Sequence, residues 1–229
     1  MTLGSQLGLE SDILTREIEE QGHRLGLDTL VQIYHKILQI KAPDATDAAY
    51  LFTNTSDNQA SVFEGAQKLY QRGIVDLFLI MDGPDDTGYP GAKEWLSHLQ
   101  KYIPKKNIKL VEFKNSENLN TYSESQNVVM YARKNKIDAL HIVAAPFHML
   151  RAFMTIASEA IKENAGLRVY PWYGSELDWE RSVLHSQGRE TATRRQFVRK
   201  EMQKIRSYQI KPGNIMPTWE ITNYVQTRL

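Results

Sequence analysis

The chain has 229 residues, which is enough for one sizeable hydrophobic core or for one core with an added helical segment. The formal net charge of +1 and the ordinary hydrophobic content of 41% favour neither nucleic acid nor a membrane surface as a partner. The absence of cysteine excludes disulfides, thiolate nucleophiles and thiolate metal ligands. Charges occur throughout the first 40 residues, so we expect no signal peptide and no membrane span. A cytoplasmic location fits these features.

Residues 1–46 are predicted to form a helical lead-in. Ser11 is a candidate cap for a first short helix. From Asp28 the apolar residues keep a helical spacing, which predicts a second helix that packs on the main sheet and ends at Pro43.

Between residues 47 and 173, strand and helix patterns alternate, which predicts a parallel sheet with helices on both faces. Right-handed crossovers favour the strand order 3-2-1-4-5, with a switch point between the first and fourth strands. The predicted fold is therefore an α/β, Rossmann-like three-layer sandwich with a five-stranded parallel sheet and added N- and C-terminal helices. The predicted strands are 48–53, 75–81, 108–113, 140–145 and 167–172, and the helices between them are 61–72, 92–101, 121–134 and 147–163.

The alternation stops after Tyr173, and residues 174–229 are predicted to be a helical extension packed on the same domain. Residues 174–188 are polar and turn-rich, whereas 191–209 are strongly helical and rich in arginine and lysine. The simplest interpretation of this basic helix is a solvated face, and a lid over the site is the alternative. A final helix is predicted from Pro217 to Thr227.

Two loops that follow the first and second predicted strands carry polar side chains. Carboxyl ends of parallel strands meet at one edge of the sheet, where α/β proteins bind ligands. Thr53, Asn54 and Thr55 are small hydrogen-bonding residues that suit either a ligand or a helix cap, without the glycine spacing of a dinucleotide site. Asp82, followed by Gly83, is placed to hold a metal or ribose hydroxyls.

The loop after the third strand leads into a helix through Asn120 and Thr121. Thr121 and Glu124 have the spacing of a capping box, which explains both residues without a ligand. A capped helix amino end is nevertheless also a site for an anion. Ligand contact and capping both remain open here.

The loop after the fourth strand places His148 and Arg151 in the first turn of a helix, because Pro146 ends the strand before them. An imidazole and a guanidinium three residues apart are suited to hold an anionic group. An arginine at a helix amino end opposes the helix dipole, so an anion or a carboxylate such as Glu124 is expected to compensate it. The alternative is a structural arginine that pairs with a buried acid. His185 has no comparable setting, and no two histidines have the spacing of zinc ligands.

Four features of the chain recur together in one known family: Ala66, Leu69-Tyr70 and Gly73; Asp82-Gly83; Asn120-Thr121-Tyr122; and the stretch APFHMLRA at 145–152. On these features the stretch from Asp47 to Trp172 resembles the YdcF-like family, a domain of unknown function that also includes the SanA and ElyC envelope proteins. The resemblance implies a Rossmann-like fold and, through the YdcF member, binding of S-adenosylmethionine; no reaction is established for the family as a whole.

Two classes of function follow. In the first, a binding protein or transferase holds S-adenosylmethionine, or another nucleoside-type or anionic small molecule, in the strand-end cleft. Tyr89, Trp172 and Tyr173 would line an apolar slot, and Asp82 or Glu112 would hold the ribose hydroxyls. The predicted binding residues are Thr53, Asn54, Thr55, Asp82, Gly83, Asn120, Thr121, Glu124, Pro146 and Trp172.

In the second class, a hydrolase acts on a phosphorylated or sugar-linked substrate, with His148 as general acid or base and Arg151 on the anion. Hydrolysis needs a positioned nucleophile or a metal, and the sequence offers no strong candidate for either, so we favour binding. A structural protein without a ligand is the third alternative. The pattern predicts no metal site and leaves the oligomeric state open.

Overall fold

The computed structural model describes residues 30–86, 88–114, 119–163, 166–185, 190–210 and 214–227. The helix predicted near Ser11 lies outside the described residues. The described part of helix α1 covers 30–39 and buries Leu30, Ile33 and Ile37 in the core. The elements that follow are β1 (Ala48–Leu51), α2 (Gln59–Gln71), β2 (Phe78–Asp82), β3 (Asp85–Asp86), β4 (Tyr89–Pro90), α3 (Ala92–Leu99), a 3₁₀ turn (Lys105–Asn107), β5 (Ile108–Glu112), α4 (Thr121–Lys134), β6 (Ala139–Ala144), α5 (Met149–Lys162), β7 (Arg168–Tyr173), β8 (Ser182–His185), β9 (Glu190–Thr193), α6 (Arg194–Ile210) and α7 (Thr218–Gln226).

The central sheet is five-stranded and parallel throughout, with the strand order β5-β2-β1-β6-β7. Counted among themselves in chain order, these five strands have the predicted order 3-2-1-4-5. The labels differ from this count because the short hairpin β3–β4 lies between the second and third strands of the sheet. Every residue of β1 and β6 is buried, as expected of central strands that are covered on both faces.

The crossovers cover both faces of the sheet with helices. Connections from β1 to β2 and on to β5 run in one direction across the sheet, whereas connections from β5 to β6 and on to β7 run in the other. Right-handed crossovers therefore place α2 and α3 on one face and α4 and α5 on the opposite face. Helices α6 and α7 pack against α5 as a further layer. The direction of the connections changes between β1 and β6.

The segment after β7 differs from the prediction, because residues 182–193 form the antiparallel hairpin β8–β9. Helix α6 accordingly begins at Arg194, and the predicted helical residues Thr191 to Thr193 belong to a strand. Val183 is buried against Phe147 and Phe197, so the hairpin gains an apolar anchor that polar composition alone does not reveal. Within the described parts of the chain, no helix combines the length and the apolar character that crossing a membrane requires.

Candidate functional site

A cavity of about 300 Å³ lies where β1 and β6 end, at the predicted switch point. The loop after β1 and the amino ends of α4 and α5 form its base, and β8, β9 and α6 contribute the remaining wall. Its lining residues are Thr53, Asn54, Thr55, Tyr89, Leu119, Asn120, Thr121, Glu124, His148, Arg151, His185, Glu190, Lys204 and Tyr208.

Most of the predicted site residues meet at this cavity. The three strand-end loops after β1, β5 and β6 converge there, since parallel strands bring their carboxyl ends to one edge. Those that line the cavity are Thr53, Asn54, Thr55, Asn120, Thr121, Glu124, His148 and Arg151.

Asp82, Gly83, Pro146 and Trp172, which were also predicted to bind the ligand, are not among the residues that line this cavity. Asp82 is exposed at the end of β2, and Gly83 packs beneath Leu119, whose Cδ2 atom lies 3.1 Å from the position of an added Cβ. Pro146 is half-buried in the turn before α5. The Trp172 indole donates to the Gly65 carbonyl of α2 over 3.0 Å, on the opposite face of the sheet from α4 and α5.

Of the other residues that were predicted to form an apolar slot or to hold ribose hydroxyls, some line the cavity and some do not. Tyr89 lines the cavity and donates its hydroxyl to the Met81 carbonyl over 3.2 Å. Tyr173 stands at the end of β7, away from the lining residues, and Glu112 is exposed in an ion pair with Lys114. The predicted slot therefore retains one of its three aromatic rings.

Arg151 is buried and bound to Glu201, a residue of α6 that the sequence analysis did not select. Arg151 donates from Nε to Oε2 of Glu201 over 2.7 Å and from Nη2 to Oε1 over 3.1 Å. Its Nη1 donates to the Thr121 hydroxyl over 2.6 Å. A two-pronged pair of this kind is among the strongest charge-assisted contacts in proteins. The carboxylate that compensates Arg151 is thus Glu201 rather than Glu124, which is the geometry of the alternative structural arginine.

Both His148 and His185 also contact Glu201. The Nδ1 atom of His148 lies 2.6 Å from Oε2 of Glu201, and the Nε2 atom of His185 lies 3.2 Å from Oε1. Burial, helped by the neighbouring Arg151, lowers the pKa of His148 to about 4, so this imidazole is neutral at neutral pH. Because its Nδ1 faces a carboxylate, we assign the proton to that atom. The expectation that His185 has no comparable setting was wrong.

Glu201 is 1% exposed and stays ionised in this setting. Burial alone would raise the pKa of Glu201, but attraction to Arg151 and the hydrogen bonds with both histidines hold it well below its ordinary value. Lys204 adds a further ammonium group 3.6 Å from Oε1. Phe197, Glu201 and Ile205 recur every four residues on the buried face of α6. In the sequence, the only indication that Glu201 binds Arg151 was its position as an acidic residue on the apolar face of a helix.

The cap of α4 is shifted by one residue from the predicted capping box. Asn120 is the N-cap, and its Oδ1 accepts hydrogen bonds from the backbone amides of Tyr122 and Ser123. Ser123 completes the box by accepting from the Asn120 amide over 3.1 Å. Thr121 and Glu124 are therefore released from capping and turn towards the cavity.

Glu124 is a buried carboxyl group held by neutral donors. Its Oε1 accepts from the Tyr50 hydroxyl over 2.6 Å and from the Thr53 backbone amide over 2.9 Å. Among the ion pairs of the described residues none involves Glu124. Burial raises the pKa of Glu124 to about 7, and the hydrogen bonds from Tyr50 and Thr53 and the charge of Arg151 offset part of that rise. Its charge therefore changes near neutral pH.

Several hydrogen-bond donors at the cavity have no protein partner among the described residues. Asn54 is 5% exposed, and while its Oδ1 accepts from the Thr55 amide, its Nδ2 has no partner. Three of the five N–H donors of Arg151 are used in the bonds described above, which leaves two. No side chain caps the amino end of α5. These donors favour a ligand that presents acceptor atoms.

The hairpin and α6 are fixed to the loop after β1. The Thr55 hydroxyl donates to the Leu184 carbonyl over 2.8 Å, and Asp57 accepts from the Leu184 amide over 2.8 Å. Arg194, which is buried, donates to Asn58 Oδ1 and to the Asp57 carbonyl, both over 2.8 Å. The interpretation of the basic helix as a cover of the site is the one that this geometry favours.

Neither protein-family models nor curated proteins give a match to this chain. The resemblance to the YdcF-like family therefore rests on the sequence motifs alone. No group of three His, Asp or Glu residues within the described ranges has the arrangement of a metal site.

Proposed function

We propose that this protein binds a small polar molecule with an anionic group, of nucleoside type or smaller, in the cavity at the ends of β1 and β6. The observation that carries the proposal is the side-chain nitrogen of Asn54, a buried donor without a protein partner on a residue that lines the cavity. Buried donors are rarely left without an acceptor, because the lost hydrogen bond costs about 1–3 kcal/mol. A bound acceptor would remove that cost.

The electrostatics of the cavity support an anion. The charged side chains are balanced when Glu124 is protonated, since Arg151 and Lys204 are opposed by Glu201 and Glu190. The helix amino ends decide the balance: α2, α4 and α5 all begin at this edge of the sheet. Each helix amino end is equivalent to about half a positive charge. Their amides are the usual protein ligands of phosphate and carboxylate groups.

The volume of the cavity favours small ligands over large ones. Its volume of about 300 Å³ is at the lower limit of ordinary small-molecule sites, which span roughly 300–1,000 Å³. S-adenosylmethionine, the cofactor that the YdcF-like resemblance implies, is larger than a nucleoside and would require α6 and the hairpin to move outwards. Small phosphorylated or carboxylated metabolites fit without that movement, so we prefer them as candidate ligands.

Hydrolysis of a phosphorylated or sugar-linked substrate is the second candidate, and Glu124 is the observation that favours it. A carboxyl group with a pKa of about 7 beside a cavity can donate or accept a proton at neutral pH. The expected role of His148 as the acid or base fits less well, because Nδ1 is bound to Glu201 and Nε2 lies 3.5 Å from the Thr121 hydroxyl.

The test of the proposal is calorimetry with phosphate, sulfate, simple carboxylates, nucleotides and S-adenosylmethionine. Asn54→Asp keeps the acceptor for the Thr55 amide and replaces the free donor by a negative oxygen. We expect at least a ten-fold loss of affinity for the anion that binds best. The control is Asn223→Asp on α7, an exposed position outside the cavity. Equal affinities of the two variants, or no binding of any compound by the wild type, would overturn the proposal.

A further inference from the structure

We propose that the cavity binds its anion together with a proton, which Glu124 takes up when the anion enters and returns when it leaves. This inference rests on the proposed anion site. It adds that the anion and the proton are linked ligands of one site.

The first support is the way in which Glu124 is held. Its two closest partners, the Tyr50 hydroxyl and the Thr53 amide, are neutral, and it is 2% exposed. The nearest guanidinium, that of Arg151, is bound to Glu201 and Thr121. An ionised Glu124 thus has no cation of its own, whereas a protonated Glu124 needs none.

The second support is the set of groups that face Glu124 from the surrounding elements. Tyr50 on β1 and Tyr89 on β4 have pKa values that burial raises above the ordinary value, so both stay neutral. Arg151 on α5 is the cation that acts on Glu124. The remaining titratable groups that line the cavity are His148, His185, Glu190, Lys204 and Tyr208. The hydrogen bonds and ion pairs described for Glu124 involve none of these five groups. Lys200 holds the pKa of the other lining carboxyl group, Glu190, below its ordinary value, so Glu124 is the carboxyl group whose charge changes near neutral pH.

The third support is the effect of the anion itself. A second negative charge in a cavity of about 300 Å³ disfavours ionisation of Glu124, so its pKa rises further in the complex. At pH 8 the free protein has lost most of this proton, because the pKa of Glu124 is about 7. Binding then draws in between zero and one proton per site. By linkage, the affinity for the anion must fall as pH rises, by up to ten-fold per pH unit.

The experiment uses sulfate as the probe, because sulfate does not titrate near neutral pH. The full chain is titrated with sodium sulfate at constant ionic strength at pH 6, 7 and 8. Each titration is repeated in two buffers with different ionisation enthalpies, so the difference in observed heat gives the number of protons taken up. We expect uptake at pH 7 and 8, little uptake at pH 6, and weaker binding at each step upwards.

Two variants identify the group that takes up the proton when sulfate binds. Glu124→Gln keeps an acceptor for Tyr50 and Thr53 but has no titrating group, so sulfate should bind with no proton uptake and with an affinity independent of pH. Glu64→Gln on the exposed side of α2 is the matched control and should behave as the wild type.

Sulfate binding by the wild type without proton uptake at pH 8 would overturn the inference and leave the anion site intact. Proton uptake that persists in Glu124→Gln would also overturn it, since the proton would then belong to another group. Absence of sulfate binding at every pH would overturn the inference and count against the anion site as well. If Glu124→Gln fails to fold, the proton count of the wild type at pH 8 decides the question.

Discussion

Arg151 shows how much one buried ion pair matters at the scale of a residue. Replacing it by alanine leaves Glu201 buried beside two imidazoles without its guanidinium partner. Breaking a buried pair in this way typically costs about 3–5 kcal/mol. We therefore expect Arg151→Ala to unfold at much lower urea concentration than the wild type. This is the outcome expected of a structural arginine that pairs with a buried acid.

The control for Arg151→Ala is Arg133→Ala, which breaks the exposed pair with Glu163. Exposed pairs contribute about 0–1 kcal/mol, so this variant should resemble the wild type. The double variant Arg151→Met with Glu201→Leu should recover part of the lost stability, because it removes both charges together. Equal losses for Arg151→Ala and Arg133→Ala would show that Glu201 is not buried as described.

The raised pKa of Glu124 leads to a second prediction, which concerns how the free energy of unfolding depends on pH. The folded protein holds its proton up to a pKa of about 7, whereas an unfolded glutamate releases it near 4.3. At Glu124 the folded state therefore binds more protons between these values, and the contribution of this group to stability falls as pH rises from about 4.5 to 7, by on the order of 2–4 kcal/mol. His141 and His148, whose pKa values burial lowers to about 4, contribute in the opposite direction over nearly the same range. The fall is therefore read as the difference between the wild type and Glu124→Gln in urea unfolding at pH 5, 6, 7 and 8; identical profiles would contradict the buried carboxyl.

The partner of Arg151 could not be found from local sequence, although the position of Arg151 could. Pro146 and the apolar periodicity of α5 fix where Arg151 stands along the chain. Glu201 is fifty residues away, on a helix whose docking depends on tertiary packing. The shifted cap of α4 has a similar cause, because Asn120 and Thr121 are both good caps and only the surrounding contacts select one of them.

At the scale of elements, Arg194 is the anchor of the hairpin β8–β9 and of α6. It is 2% exposed and donates to acceptors in the loop after β1 and to the Asp178 carbonyl. Arg194→Ala leaves the buried Asn58 Oδ1 and two partly buried carbonyl groups without their donor, at a cost of up to about 1.5–3 kcal/mol for each charged bond. Hydrogen exchange should therefore accelerate by ten-fold or more at the amides of β8 and β9, with little change in β6.

The neighbouring Arg195 provides the control for this prediction. It is exposed and pairs with Glu180 on the surface. Arg195→Ala should leave hydrogen exchange in the hairpin unchanged. Equal protection of β8 and β9 in Arg194→Ala and Arg195→Ala would contradict the anchoring role.

The hairpin is also the element that sequence patterns identified least well. Strand β1 is a continuous apolar run and β6 is an apolar run interrupted only by His141, so both predict buried strands directly. Strand β9 has the sequence ETAT, with one small apolar residue, and leads without a break into a helix. Its pairing with β8 and the contact of Val183 with Phe147 and Phe197 are tertiary effects that override the helical pattern.

At the scale of the whole molecule, the segment after Gly174 is part of the core rather than an addition to it. Ile205, Ile221 and Val225 belong to the main buried cluster. A chain that ends at Gly174 loses these contacts together with Glu201, so we expect it not to unfold cooperatively. Near-ultraviolet circular dichroism during urea unfolding would check this. A sharp transition like that of the full chain would mean that the Rossmann-like unit is independent.

The order of the sheet could be predicted because it follows from few constraints. Five parallel strands connected through helices, with right-handed crossovers, leave few arrangements, and the switch between β1 and β6 locates the cleft. The contents of the cleft were less predictable, because His185 and Lys204 line it from the segment that folds back over the sheet, and Glu201 of the same segment binds Arg151. The location of the site thus follows from topology, and its chemistry from long-range packing.

The most direct test of an anion site at the switch point is anomalous diffraction from crystals of the protein soaked in selenate, a heavy analogue of sulfate. We predict a selenium peak inside the cavity, within hydrogen-bond distance of the Asn54 amide and the Arg151 guanidinium. Selenate bound only elsewhere on the molecule, with the side-chain nitrogen of Asn54 still lacking an acceptor, would contradict an anion site at the switch point.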